Sequence, residues 1–237
     1  MDELWVCHLG TVDYREALAL QQRVRTARQA DEVPDVMLVL EHWPVYTRGR
    51  RSGADELPMG EDWYRTQGID VVDVDRGGKL TYHGPGQLVG YPIVRVDDVV
   101  AYLRTLEDAL SAALRQEGIA DARGRPQDGP DYTGVWIGDR KIASIGVHLA
   151  HGVTTHGWAV NVENDLQPFS WVVACGLPGV QMTSLIKETG RGAGQMPCFR
   201  KRAAYEVARG LGRRQRLMSL ARLEAALGSE VPVAEPA

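Results

Sequence analysis

The chain has 237 residues, of which 44% are hydrophobic and 24% are charged, and its formal net charge is −4. These values describe an ordinary packed protein and exclude the collagen-like, coiled-coil and disordered classes. No apolar run approaches the roughly 20 residues of a membrane-spanning helix, and the acidic N-terminus lacks the layout of a secretory signal. We therefore expect a cytoplasmic protein without a membrane partner. The three cysteines are too few and too far apart for a disulfide framework.

Strands and helices are both predicted in the first half of the chain. Leu4–Leu9 alternates as a strand does, and Asp13 caps a helix whose apolar residues continue to Ala27. Further strands are predicted at Met37–Leu40, Ile69–Val74 and Gln87–Val94, with a short helix around Trp63 and a loop from Arg48 to Gly60. The strongest helix signal lies between Asp98 and Glu117, where apolar residues recur on one face.

The second half begins with a β pattern and ends with a helical one. Antiparallel strands are predicted at Thr133–Ile137, Lys141–Leu149 and Val153–Val162, and helices at Phe199–Leu211 and Leu220–Leu227. This order of elements predicts an α+β fold with a mostly antiparallel sheet flanked by helices. We expect one domain over residues 1–228, with a basic helical part from about residue 200, and a flexible tail at 229–237.

A glycine-rich segment, Arg76 to Gln87, is the densest run of unusual residues. Its paired glycines allow backbone N–H groups to approach a ligand closely, and the polar tips of Thr81, Tyr82 and His83 follow them. The alternative is a simple glycine-rich connection around a core tyrosine, but the number of such residues favours a site. Because Lys79 is followed by leucine, the segment is not a phosphate-binding loop.

Lys141 and Cys175 are candidates for acid–base and nucleophilic chemistry. Lys141 begins a strand with small and apolar neighbours, where an amine can act as a general acid or base, or can stabilise a thiolate. Cys175 ends an apolar stretch and precedes glycine, so its thiol can lie on a turn near backbone N–H groups. The alternatives are a lysine that reaches into water and a buried cysteine. Cys7 and Cys198 are interpreted as buried packing residues.

Two other features have simple interpretations. His148, His151 and His156 lack the ligand spacing of a zinc site, so no metal is expected. Between Arg200 and Arg222, eight basic residues accompany a single acid, Glu206. This basic stretch is either a solvated helix face or a dock for an acidic partner. Nucleic acid is disfavoured, because the whole chain is acidic and no aromatic residues interleave with the arginines.

Four segments together resemble one family, the lipoyl(octanoyl) transferases. They are Arg76–Gln87, Lys141–Gly146, His156–Val162 and Ala174–Leu177, the last followed by Thr183–Leu185. The family often has proline where this chain has Ala174. The resemblance implies the fold of the biotin and lipoate protein ligases, which agrees with the α+β prediction.

The resemblance also implies an acyltransferase and its partners. An octanoyl group would pass from octanoyl-acyl carrier protein to a lysine of the lipoyl domains of 2-oxoacid dehydrogenases and of the glycine cleavage H protein. Cys175 would carry the acyl group as a thioester, and Lys141 would move the protons. The residues expected to line the acyl channel are Arg76, Gly77, Gly78, Lys79, Leu80, Thr81, Tyr82, His83, Ser144, Ile145, Gly146, Gly157, Trp158 and Ala159. Backbone N–H groups of Gly77 and Gly78, and others near Cys175, would stabilise the oxyanion. Because the donor is already a thioester, no cofactor is expected.

Three alternatives remain open from the sequence. The first is an ATP-dependent lipoate or biotin ligase on the same fold, which needs no cysteine nucleophile. The second is an amidotransferase that takes the octanoyl group from one lipoyl domain and gives it to another. The third is a non-catalytic adaptor that holds an acidic carrier protein through the basic stretch.

Overall fold

Eleven strands and seven α-helices occur in residues 2–173 and 179–228, the parts of the chain that this computed structural model describes. The strands are β1 (Glu3–Val12), β2 (Asp35–His42), β3 (Val45–Arg48), β4 (Asp70–Asp73), β5 (Thr81–His83), β6 (Gln87–Ile93), β7 (Gly134–Ile137), β8 (Arg140–Ala150), β9 (Val153–Asn161), β10 (Gln181–Met182) and β11 (Arg214–Met218). The helices are α1 (Tyr14–Gln29), α2 (Glu61–Thr66), α3 (Val99–Gln116), α4 (Gln167–Ser170), α5 (Leu185–Thr189), α6 (Met196–Gly210) and α7 (Leu220–Ala226). None of these helices is long and apolar enough to cross a membrane.

The strands form one large sheet and one small sheet. The large sheet has the order β10-β8-β9-β6-β2-β1-β11, with β7 also paired to β8, and the small sheet has the order β4-β3-β5. Within the large sheet, β2, β6, β9, β8 and β7 pair antiparallel, while β1 pairs parallel with β2 and with β11. The predicted α+β fold with a mostly antiparallel sheet is therefore confirmed.

The strongest predictions from local pattern are confirmed. The strands β7, β8 and β9 form the expected antiparallel meander. The carboxylate of Asp13 accepts hydrogen bonds from the first backbone N–H groups of α1, and that of Asp98 does the same for α3. Each aspartate thereby satisfies N–H groups that have no partner inside the helix.

Four strands lie where the sequence predicts none, and one of them is the two-residue β10. The strand β5 lies inside the glycine-rich segment, β3 lies mostly before the predicted loop, and β11 lies inside the basic stretch, which was expected to be helical. Thr81–His83 has only three residues, so it offers no alternation to detect. Two of the five residues of β11 are arginines, which an edge strand tolerates because it faces water. The predicted tail lies outside the described residues.

The large sheet buries a core on each face. On one face α3 and α6 pack over a cluster that includes Leu106, Leu110 and Phe199. On the other face α1 packs over a cluster that includes Leu20, Val24 and Leu38. The turn between β4 and β5 crosses to the large sheet, where the N–H of Gly77 donates to the carbonyl of Val147 at 2.9 Å. This crossing leaves a cavity beside α1.

Candidate active site

A cavity opens next to the start of α1. Lys141, Ser144, Ile145 and Gly146 of β8 line it, as do His156, Gly157, Trp158 and Ala159 of β9. The remaining lining residues are Tyr14, Arg51, Arg76, Gly78, Lys79, Thr81, His83, Tyr91, Pro130, Asp131 and Thr133. The cavity therefore brings together residues from three of the four segments that carry the family resemblance.

A β-bulge in β8 determines which way Lys141 faces. Trp136 of β7 pairs with Lys141, whereas the preceding Val135 pairs with Ala143, so β8 holds one extra residue at Ile142. Without this bulge, positions 141 and 144 would point to opposite faces of the sheet. With it, Lys141 shares a face with Ser144, and the amine enters the cavity.

Small residues on β8 and β9 keep that face of the sheet open. Gly146 and Gly157 pair with each other across the two strands. A Cβ atom at Gly157 would lie 2.2 Å from the carbonyl oxygen of Gly90, and one at Gly146 would lie 2.9 Å from that of Gly77. Because backbone atoms cannot move aside easily, both positions require glycine. The neighbouring Ser144 and Ala159 are also small and also line the cavity.

Lys141 is almost completely enclosed by the protein. Its exposed fraction is 2%, and its Nζ lies 5.1 Å from the centre of the Trp136 ring. The ring of Trp136 is fixed by its Nε1, which donates to the carbonyl of Tyr132 at 2.8 Å. An aromatic face attracts a cation, so the ring makes a favourable contact with a lysine side chain. A residue that follows the cysteine segment in the sequence is bonded to Lys141: the backbone N–H of Thr183 donates to the carbonyl of Lys141 at 3.0 Å.

Arg76 anchors the glycine turn to the small sheet. Its guanidinium donates to the carbonyl of Thr47 at 2.7 Å, to the Thr47 hydroxyl at 2.8 Å and to the carbonyl of Gly77 at 3.1 Å. Gly77 is absent from the cavity lining, and its N–H is bonded to Val147. This N–H therefore already has a partner in the sheet, and its expected role in stabilising an oxyanion stays a prediction.

Leu80 and Tyr82 are likewise not part of the cavity lining. Both are buried in a separate cluster under the small sheet, with Tyr46 and Phe169. They alternate along the chain with Thr81, which does line the cavity. Period-two alternation within β5 explains the difference, since successive side chains of a strand point to opposite faces. Leu80 and Tyr82 thus lie outside this cavity, and their expected place in the acyl channel stays a prediction.

A chain of buried hydrogen bonds joins three of the sequence segments. Nδ1 of His83 donates to Oε1 of Gln87 at 2.7 Å, and the amide of Gln87 donates to Oδ1 of Asn161 at 2.9 Å. The amide of Asn161 in turn donates to the carbonyl of Thr183 at 3.0 Å. Burial lowers the pKa of His83 well below its ordinary value, so the ring is neutral and its Nε2 is an acceptor.

The proposed nucleophile, Cys175, lies outside the described residues, together with Ala174, Gly176, Leu177 and Pro178. The other two cysteines are free thiols. Cys7 is buried, as expected, and burial raises the pKa of its thiol to about 11. Cys198 is exposed, so its interpretation as a buried packing residue is wrong.

Comparison with known proteins identifies the family. The sequence profile of the lipoyl protein ligase A/B catalytic domain matches residues 13–204 of the chain. The chain belongs to this family. Octanoyltransferases from two bacteria are similar to it. That of Corynebacterium efficiens is 44% identical over 199 residues, covering 80% of this chain and 75% of the other. That of Acidothermus cellulolyticus is 46% identical over 192 residues, covering 78% and 81%. The predicted resemblance to this group of acyltransferases is confirmed.

A solved lipoate protein ligase has the same fold. A bipartite lipoate protein ligase from Thermoplasma acidophilum, studied together with its E2 lipoyl domain, superposes with a TM-score of 0.75 at 19% identity. The superposition covers 96% of this chain and 91% of that one. The fold implied by the resemblance is therefore confirmed. At this level of identity the likeness concerns the fold alone.

Sequence reasoning missed a group of cavity residues outside the predicted channel. Tyr14 begins α1, Tyr91 lies on β6, and both line the cavity while being 3% exposed. His156 lines it as well, and its backbone φ of 58° is in the left-handed region, which costs a non-glycine residue about 1 kcal/mol or more. Three different elements supply these rings, so no local pattern indicates that they meet. The only available signal was the presence of His156 in a family segment.

The basic stretch is largely neutralised by nearby acids. Arg214 and Arg216 both pair with Glu3, at 2.6 and 3.2 Å, and Arg213 pairs with the buried Asp35 at 2.9 Å. The guanidinium groups of Arg214 and Arg216 lower the pKa of the Glu3 carboxyl. Five spacings between neighbouring strands separate β11 from β8, which is about 24 Å. The arginines of β11 are therefore distant from the cavity and already paired.

Proposed function

We propose that this chain transfers an octanoyl group from octanoyl-acyl carrier protein to the lysine ε-amine of lipoyl domains. The acyl group rests on Cys175 as a thioester between the two half-reactions. The observation that carries the proposal is the position of the Lys141 amine. A β-bulge orients this enclosed side chain toward a cavity that is lined by small residues. Both relatives are named octanoyltransferases, which supports octanoyl as the acyl group. The lipoyl domain studied with the Thermoplasma ligase supports the acceptor class.

In the first half-reaction, the Cys175 thiolate attacks the carbonyl carbon of the donor thioester. The new sulfur–carbon bond forms, and the bond to the pantetheine sulfur breaks. The Lys141 ammonium gives its proton to the departing thiolate, which leaves as a thiol. Met182, which pairs with Lys141, is seven residues after Cys175 in the sequence, so the distance along the chain allows the two groups to meet.

In the second half-reaction, the acceptor lysine attacks the acyl-thioester. A carbon–nitrogen bond forms, the cysteine leaves as a thiolate, and the neutral Lys141 amine takes the proton from the attacking nitrogen. The enzyme returns to its starting charge state without ATP. Arginine cannot replace Lys141 in these steps, because its guanidinium does not lose a proton near neutral pH.

Intact-protein mass spectrometry tests the proposal. After mixing with octanoyl-acyl carrier protein, the protein should gain the mass of one octanoyl group, and hydroxylamine should remove it. Cys175→Ser should abolish the labile adduct, whereas Cys198→Ser should not, because Cys198 is an exposed thiol on α6, outside the cavity lining. An adduct that survives in Cys175→Ser would contradict the assigned nucleophile.

The same experiment separates the alternatives. Transfer that requires ATP and free octanoate and survives Cys175→Ser would indicate a ligase. Acylation by an octanoylated lipoyl domain, but not by octanoyl-acyl carrier protein, would indicate an amidotransferase. Tight binding of the carrier protein without any change in mass would indicate an adaptor.

A further inference from the structure

One end of the cavity is distant from Lys141. Along β8, four ladder steps separate Lys141 from Gly146, once the bulged Ile142 is left out, and this corresponds to about 13 Å. Gly146 pairs with Gly157, and Gly90, which is next to Tyr91, pairs with Trp158. Tyr91 therefore stands at the level of Gly146 and Gly157, at the opposite end of the strands from the amine.

Tyr14 and His156 complete this end. His156 is 1% exposed, and its Nδ1 lies 3.4 Å from the hydroxyl of Tyr14, the first residue of α1. Its backbone N–H donates to Oε1 of Gln21, also on α1, at 2.7 Å. The first turns of the helix and the strand β9 are thus bonded to each other where the cavity ends. We call Tyr14, Tyr91 and His156 the end wall.

Hydrogen bonds hold each ring of the end wall in place. Nε2 of His156 lies 2.7 Å from Oδ1 of Asp75, and because a carboxylate only accepts, the ring donates from Nε2 and accepts at Nδ1 from the Tyr14 hydroxyl. Likewise, Nδ1 of His42 donates to the carbonyl of Val12 at 2.9 Å, so its Nε2 accepts from the Tyr91 hydroxyl at 2.6 Å. The Tyr14 and Tyr91 hydroxyls also form a hydrogen bond with each other, so neither ring can turn aside without breaking hydrogen bonds.

We propose that the end wall of Tyr14, Tyr91 and His156 sets the length of the acyl chain that the cavity accepts. This inference rests on the proposed function for the identity of the acyl group. An extended eight-carbon chain, with seven bonds of about 1.5 Å in zigzag, is about 9 Å long. The strand distance from the level of Lys141 to that of Tyr91 is a few ångströms greater, and the rings occupy this remainder. A chain longer by two carbons meets the rings, and the close packing of interiors gives it no other space.

The test compares donors with hexanoyl, octanoyl, decanoyl and dodecanoyl chains. The wild-type protein should form the acyl-enzyme fastest with octanoyl and should discriminate against decanoyl. Tyr91→Leu and Tyr14→Leu should each raise the ratio of kcat/KM for decanoyl over octanoyl about tenfold, as expected when two further methylenes become buried. Tyr91→Phe keeps the ring and should keep the octanoyl preference. Asp75→Ala, which releases His156, should shift the ratio in the same direction as Tyr14→Leu, by a smaller factor.

Tyr102→Leu is the matched control. Tyr102 is a buried tyrosine on α3, within the core on the other face of the sheet, and it does not line the cavity. The Tyr102→Leu substitution should leave the ratio of kcat/KM for decanoyl over octanoyl unchanged, even if it lowers the stability of the protein. Folded Tyr91→Leu and Tyr14→Leu proteins whose ratios stay within about twofold of wild type would overturn the proposal.

Binding of free fatty acids keeps this test separate from that of the proposed function. If the wild-type protein forms no adduct with any donor, the proposed function fails. Calorimetric titration with fatty acids of six to twelve carbons then measures how the binding affinity depends on chain length, which tests the end wall without any transfer reaction. The affinity of the wild-type protein should stop rising beyond eight carbons, and in the leucine variants it should continue to rise. The same break point in all proteins would overturn the end wall as the determinant.

Discussion

Acidification from neutral pH to about pH 5 should lower the free energy of unfolding by several kcal/mol, because buried histidines are neutral in the folded protein. Burial lowers the pKa of His42 from 6.5 to about 4, and it lowers the pKa of His83 well below 6.5. It also lowers the pKa of His156, although the Asp75 carboxylate opposes this shift. Between pH 6.5 and about 4 the unfolded chain binds these protons and the folded protein does not, so stability falls as the pH falls.

The magnitude follows from His42, whose pKa has a stated value. The difference between a pKa of 6.5 in the unfolded chain and about 4 in the folded protein corresponds to about 3 kcal/mol of unfolding free energy. About 2 kcal/mol of this stability is lost by pH 5. His83 adds a contribution of the same sign, and so does His156. The pKa of Asp75 is lowered to about 2 by its hydrogen bond with His156, so this carboxylate stays ionised throughout the interval and does not mask the effect. Its own stabilisation is lost only below about pH 4.

Urea unfolding, followed by the fluorescence of the six tryptophans, measures this dependence between about pH 7.5 and pH 4.5. His42→Gln should reduce the slope by about 1.4 kcal/mol per pH unit near pH 5, because one titrating group has been removed. His151→Asn, in the exposed turn between β8 and β9, should leave the slope unchanged. Equal free energies of unfolding at pH 7 and pH 5 would refute the argument that these rings are neutral.

Three further predictions concern single positions. Lys141→Arg should lower kcat for octanoyl transfer by about 10²–10⁴-fold in a folded protein, whereas Lys187→Arg, at an exposed position of α5, should not. A Lys141→Arg protein with activity within twofold of wild type would exclude proton transfer by Lys141. Gly157→Ala should lower the free energy of unfolding by about 1–3 kcal/mol, whereas Gly192→Ala, with no atom within 4 Å of the new Cβ, should change it by less than about 0.5 kcal/mol. Urea titrations of both variants check this prediction. Equal losses of unfolding free energy in the two variants would show that β9 can move away from β6 to make room for the new Cβ. Arg214→Ala should leave KM for the acyl donor within about twofold of wild type; a large rise with a flatter salt dependence would restore β11 as a docking site.

Local pattern was sufficient for the elements that bury one regular face. The helices α1 and α3 have both an aspartate cap and a periodic apolar stripe, and the meander β7-β8-β9 has alternation interrupted by turn residues. The parallel pairing of β1 with β2 and β11 is not visible in any window of sequence, because it depends on contacts between residues far apart along the chain.

The candidate site was predicted in part for a similar reason. Residues Ser144, Gly146, Gly157 and Ala159 stand in recognisable segments and do line the cavity. The family segment that contains Leu80 also indicated that it lines the cavity, although strand alternation turns it away. Tyr14 and Tyr91 are ordinary core residues by pattern, and only the packing of α1 against β6 and β9 gives them a shared position.

The bulge at Ile142 makes the number of residues in β8 as important to the site as their identities. A deletion of this single residue would restore regular alternation and leave Lys141 two positions before Ser144, so the amine would still face the cavity. An insertion before Ser144, by contrast, would shift the alternation by one position and turn the amine to the opposite face. When segments of β8 are exchanged between related proteins, the spacing from the lysine to the small residues must therefore be transferred along with them.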